Sequence, residues 1–156
     1  MGGVGTYNNA PQRFEVPEKK TRICVAGYKM SNHTGRARRI AALIARKYPN
    51  DYETWFYFDG ASCYYHFLQV TFDPVPFPDH LKGHASSPFV WLETGNLDIK
   101  PIGGRSHLAE WAIKTFSNDE EIVACASKTW SFGDIFHNCC GAEEQTALVS
   151  ITDKKK

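Results

Sequence analysis

The stretch from Arg22 to Phe58 leaves this chain little choice of architecture. Arg22-Ile23-Cys24-Val25-Ala26-Gly27 is a short apolar run closed by glycine, the pattern of a buried strand. Ser31-Asn32-His33-Thr34 follows as a cluster of helix-capping residue types. From Gly35 to Tyr48, Ile40, Leu43, Ile44 and Tyr48 recur at helical spacing, with Arg36, Arg38, Arg39 and Arg46 on the other faces. Pro49-Asn50-Asp51 ends that helix by turn chemistry, and the aromatic-rich Tyr52–Phe58 is a second strand. A strand, a helix and a strand in such close succession form a crossover in which the two strands lie parallel in one sheet.

The rest of the chain completes the sheet. Asp59-Gly60 opens a helix running to about Thr71, with Tyr64, Phe67 and Leu68 on its apolar side. Four prolines interrupt residues 74–88, where a structured loop is expected. Phe89–Leu92 is a third strand entered through Pro88. Thr94-Gly95-Asn96 turns it back into a fourth, Leu97–Ile102, antiparallel to it. Gly103-Gly104 ends that strand, and Ser106–Phe116 is amphipathic through Leu108, Trp111, Ala112 and Ile113. Ser117-Asn118-Asp119-Glu120 has the form of a capping box, which predicts a further helix from Ser117. The expected fold is α/β, a four-stranded mixed sheet flanked by helices. Residues 1–20 are an irregular leader, 21–127 the domain, and 128–156 an extension with a lysine-rich end.

Composition narrows the function classes. The chain has 18 basic and 17 acidic residues, so its net charge of +1 gives no global attraction to nucleic acid. No apolar stretch reaches the roughly 18 residues of a membrane span. The amino terminus lacks the layout of a secretory signal, and five irregularly spaced cysteines do not make a disulfide framework. A reducing, cytoplasmic setting is therefore expected. Met1 to Thr6 fits M-G-x-x-x-[ST], the pattern for myristoylation of Gly2, although a glycine-rich leader reads the same way.

The order strand, helix, strand, helix, loop, strand, strand, helix resembles that of glutaredoxins, within the thioredoxin class. Pro88 opens the third strand and Gly103-Gly104 follows the fourth. Val25-Ala26-Gly27, Ser87-Pro88-Phe89-Val90-Trp91 and Leu108, Glu110 and Trp111 are similar to the amino-terminal domain of the cilium-associated malate dehydrogenases of the 1B type. That likeness covers about residues 22–116. No G-x-G-x-x-G follows a strand, so no dehydrogenase domain is expected. The glutaredoxin resemblance implies that Ser31-Asn32-His33-Thr34 stands where the family carries its C-x-x-C. It implies a cis Pro88 facing that turn, and a glutathione-carboxylate segment at Gly103-Gly104. The 1B-type likeness implies the axoneme of a cilium or flagellum, with tubulin and other axonemal proteins as partners.

Thiol-disulfide exchange needs a thiolate, normally one stabilised at a helix amino terminus. Ser31 and Thr34 hold those positions here, and a serine hydroxyl forms no disulfide. The expectation is a redox-inactive domain without a cofactor, serving as a structural or binding subunit. Ser31 or Asn32 then serves simply as a helix cap. The helix end remains able to hold an anion such as glutathione, with Arg36, Arg38, Ser87, Gly103 and Gly104 as candidate contacts. Arg39, Arg46 and Lys47 on the helix face, and Trp130, Phe132 and Phe136 in the extension, are candidate partner contacts. Phe72 and Phe77 are expected to pack outside the core.

A competing reading is an atypical thiol oxidoreductase that uses Cys63 or Cys139-Cys140. Cys24, Cys63 and Cys125 fall on predicted strand and helices, as packing residues. Cys139-Cys140 with His137 lacks zinc-ligand spacing, so no metal is expected.

Overall fold

A computed structural model describes residues 10, 12–72, 87–95 and 98–128. The elements run β1 (Thr21–Tyr28), α1 (Asn32–Lys47), β2 (Tyr52–Asp59), α2 (Ala61–Phe72), β3 (Phe89–Thr94), β4 (Asp98–Gly103), α3 (Arg105–Thr115) and α4 (Glu120–Ser127). The fold is α/β: one four-stranded mixed sheet in the order β2-β1-β3-β4, flanked by four helices. β1 and β2 are parallel, as the crossover demands, while β3 is antiparallel to both β1 and β4. This arrangement is compatible with a thioredoxin-like fold. Pro101 has no backbone N–H to give a ladder, and it is accommodated on β4, an end strand of the sheet.

Side-chain alternation sends each strand's residues to two cores. On one face Ile23, Val25, Phe56, Phe58, Val90 and Leu92 pack with Ile40 and Ile44 of α1, Leu108 and Ala112 of α3, and Ile122 of α4. On the other, Cys24, Ala26, Trp55, Tyr57, Phe89 and Trp91 meet Tyr64, Phe67 and Phe72 of α2. That second core is a ring assembly: Trp91 lies edge-on to Phe72 at 4.8 Å and 5.9 Å from Trp55. Phe72, expected outside the core, is only 5% exposed. It occupies the last position of α2, where helical phase turns it onto β3.

Two further expectations are corrected. The last helix starts at Glu120, capped by Asp119, rather than at Ser117. Asp119 Oδ1 accepts the Ile122 N–H at 3.1 Å, while its other oxygen accepts the Tyr48 hydroxyl at 2.7 Å. The Tyr48 hydroxyl, the Lys47 ammonium and the Ile122 amide together lower its pKa to about 2. The basic residues of α1 do not form one solvated face, because Arg36 and Arg38 are buried. Arg36 Nη2 donates to the Cys125 carbonyl in the last turn of α4, so a cation fills the orphan-carbonyl end of that helix. Part of the leader packs against the domain: Val16 is buried and Arg13 docks on the sheet. The proline loop with Phe77, the turn residues Asn96 and Leu97, and Gly2 lie outside the described residues. So do Trp130, Phe132, Phe136, His137, Cys139, Cys140 and the lysine-rich end.

Candidate functional site

β1 and β2 run the same way, β3 runs against β1, and β4 against β3. The carboxyl ends of β1, β2 and β4 therefore meet the amino ends of α1 and β3 at one edge of the sheet. That edge gathers most of the candidate residues: Ser31 to Thr34, Ser87-Pro88 and Gly103-Gly104.

Ser31 is the N-cap of α1, with extended backbone and its Oγ accepting the Thr34 N–H at 3.3 Å. Its carbonyl accepts the Gly35 N–H, beginning the helical series. Thr34 is fully buried, and its Oγ1 lies 3.0 Å from Ser87 Oγ. Ser87 Oγ in turn accepts the Tyr28 N–H at 2.7 Å, which ties the end of β1 to the residue before Pro88 at the entry to β3. The Ser87–Pro88 peptide is cis. Two hydroxyls and one amide thus link β1, α1 and the entry to β3, with no sulfur among them. His33 is exposed beside this cluster, and Asn32 is the half-buried first residue of α1.

Gly27 makes this closeness possible. A Cβ there would sit 2.6 Å from Thr34 Oγ1, 2.8 Å from Ser87 Oγ and 3.1 Å from Pro88 Cβ. Gly27→Val is accordingly expected to force the hydroxyl cluster apart and cost about 1–3 kcal/mol, the range for overpacking. Urea unfolding of the purified variant measures this; a loss below about 0.5 kcal/mol, the scale of a neutral surface change, would contradict the tight packing.

The Gly103-Gly104 segment is built for a turn. Gly103 has φ +124°, and Gly104 donates its N–H to His107 Nδ1 at 3.1 Å, where it caps α3. That amide is therefore committed within the chain. Arg36 holds the end of α4, and Arg38 lines a groove between α1 and α4. Arg39 and Arg46 line the same groove, whereas Lys47 pairs with Asp119 at 2.9 Å and Glu121 at 3.0 Å.

The cysteines of the described residues stand elsewhere. Cys24 is fully buried at mid-strand in β1, and burial pushes its thiol well above the ordinary range. Cys63 and Cys125 are half-buried on α2 and α4, against the two cores. Alkylation under native conditions is expected to spare Cys24 and to modify it only after denaturation. Mass mapping after iodoacetamide checks this, and rapid native labelling of Cys24 would contradict it. No group of three or more His, Cys, Asp or Glu suited to a metal ion occurs among the described residues.

A second polar centre, which the sequence reading missed, sits at the opposite end of the α2 face. Arg22 on the central strand is flanked by Glu53 on β2 and Glu93 on β3, and all three are buried. Arg22 donates to Glu53 Oε2 at 2.7–2.8 Å and to the Phe14 carbonyl, and lies 3.4 Å from Glu93 Oε1. Glu93 Oε2 also accepts from Trp91 Nε1 and Arg13, each at 2.8 Å. The Arg13 guanidinium stands 5.6 Å from the Trp55 ring centre and 5.9 Å from that of Trp91. This arrangement fixes the leader to the sheet. Its carboxylates are matched by cations, as a structural network requires.

No family model matches the chain, and no curated protein matches it. No helix among the described residues is long and apolar enough to cross a membrane.

Proposed function

We propose that this chain is a glutaredoxin-like, thioredoxin-fold subunit that has given up thiol chemistry and works by binding within a larger assembly. The observation that supports it is the hydroxyl cluster. Ser31 caps α1, and Thr34 is bonded to Ser87 beside Pro88, where exchange chemistry would require a thiolate. A hydroxyl there stabilises the helix end and the loop contact but has no disulfide to exchange. The likeness to the 1B-type amino-terminal domains extends the proposal to the axoneme of a cilium or flagellum, with tubulin and other axonemal proteins as partners.

Velocity sedimentation of a gentle extract from the source cells tests the assembly reading. The native chain is expected to travel in a complex much larger than itself and to remain with salt-washed axonemes. Migration as a free monomer would overturn the assembly reading. A large complex absent from axonemes would overturn the location alone.

A further inference from the structure

Leader residues 12–16 run along the surface: Gln12, Phe14 and Glu15 are exposed, while Arg13 is half-buried and Val16 buried. Arg13 meets three buried residues of the sheet, Trp55, Trp91 and Glu93. Its Nη1 donates to Glu93 Oε2 at 2.8 Å, and its guanidinium carbon stands 5.6 Å and 5.9 Å from the Trp55 and Trp91 ring centres. A carboxylate beside two indole rings is the chemistry that recognises a guanidinium, which pairs and stacks at once. Three features set this contact apart from the core. Among the described residues the leader joins no ladder of the sheet, and Arg22 holds it at the Phe14 carbonyl. The segment reaches β1 through a turn in which Lys20 donates its N–H to the Pro17 carbonyl at 3.1 Å and Lys19 has φ +70°. That left-handed position suits glycine, so with lysine the turn is a strained hinge. Finally, two buried polar atoms beside the leader lack a hydrogen-bond partner among the described residues. They are Trp55 Nε1 and Glu53 Oε1, the latter 3.9 Å from Lys20 Nζ and so beyond hydrogen-bond reach. The leader therefore leaves part of the site unsatisfied, which is costly for buried groups.

We infer that Trp55, Trp91 and Glu93 form a receptor for an arginine-bearing extended segment of a partner protein, and that the leader fills it through Arg13 until the partner displaces it. Arg13 itself shows the chemistry of the occupant. The short tether gives the leader a high effective concentration, so it excludes weak arginine ligands. It yields to a segment that also offers an acceptor to the Trp55 N–H and a donor to Glu53. The leader of a second copy would make only the contacts that the tethered one already makes, which favours a partner of different sequence. The inference rests on the binding role proposed above, and it names the surface and the chemistry of the partner.

Fluorescence anisotropy with the full chain tests it, using a labelled peptide with the sequence of residues 10–17. Versions with lysine or glutamine in place of its arginine are the other probes. Arg13→Ala removes the cation that fills the site in cis. Glu93 then keeps Arg22 at 3.4 Å and the Trp91 N–H at 2.8 Å, and circular dichroism verifies the fold. Lys19→Val opens the hinge from an exposed position without touching the site, because a β-branched residue is poorly tolerated at positive φ. The expected result is saturable binding of the arginine peptide, about tenfold or more tighter to Arg13→Ala than to the parent. Binding to Lys19→Val is expected to be severalfold tighter than to the parent. The lysine peptide should bind less tightly than the arginine one, and the glutamine peptide least. Affinity for either substituted peptide equal to that for the arginine one, no gain in either variant, or no binding would overturn the inference. Dimerisation of Lys19→Val without peptide binding would assign the site to a second copy and overturn it too. The failures remain distinguishable: absent peptide binding leaves a large native complex in sedimentation as evidence for assembly. A free monomer whose Arg13→Ala variant still takes the peptide would sink only the assembly reading.

Discussion

Arg22→Met should lower the unfolding free energy by about 3–5 kcal/mol, because it leaves two buried carboxylates without their shared cation. Glu53 and Glu93 flank Arg22 on neighbouring strands, and neither is more than 2% exposed. Methionine fills much of the arginine stem's volume, so the loss reports charge rather than a cavity. Against a domain stability of about 5–15 kcal/mol, this is a large fraction of the total. Urea unfolding followed by circular dichroism measures it. Exchanging all three residues for apolar ones of similar volume should recover most of the loss, as buried ionic clusters often do. A loss under about 1 kcal/mol, the scale of an exposed ion pair, would show that the network is wet rather than buried.

Trp91→Ala should cost about 3–5 kcal/mol, the range for deleting a large aromatic side chain from a core. Trp91 is fully buried in the middle of the α2-face rings, at 4.8 Å from Phe72 and 5.8 Å from Phe89. Its indole N–H also donates to Glu93 at 2.8 Å, so truncation takes a partner from a buried carboxylate. Trp91→Phe retains most of the packing and lacks the donor, which separates the two contributions. The same denaturation experiment reads all three proteins. Near-equality of the alanine variant and the parent would contradict the placement of this ring.

Periodicity carried most of the fold. The apolar run of β1, the stripe Ile40, Leu43 and Ile44, and the aromatic β2 are local patterns whose period reports the element directly, and their order forces the parallel crossover. The α1 cap was legible too, because Ser31 acts through a backbone amide three residues away. Long-range pairing was not. Arg36 sits among the polar positions of its helix, yet it is buried because α4, far along the chain, presents a carbonyl to it. Capping types were spread from Ser117 to Asp119, and the choice fell to Asp119 because Lys47 and Tyr48 converge on its carboxylate. A signal for the Arg22 network did exist. Arg22, Cys24 and Ala26 share one face by alternation, as do Glu53 with Trp55 and Trp91 with Glu93. It becomes readable only once β1 is known to lie between β2 and β3.

The candidate site follows the same division. Ser31 and Thr34 could be placed at the helix start from local sequence. The bond from Thr34 to Ser87, 53 residues further on, and the part played by Gly27 depend on the entry to a distant strand, and only the resemblance brought Pro88 to that end.

Turnover of a glutathione-peptide mixed disulfide by the full-length chain, with glutathione and its reductase supplied, tests the central claim most directly. The hydroxyl site predicts a rate equal to that of the uncatalysed reaction, in the parent and in Cys63→Ser and Cys139→Ser/Cys140→Ser alike. Saturable turnover by the parent that disappears in either cysteine variant would contradict it.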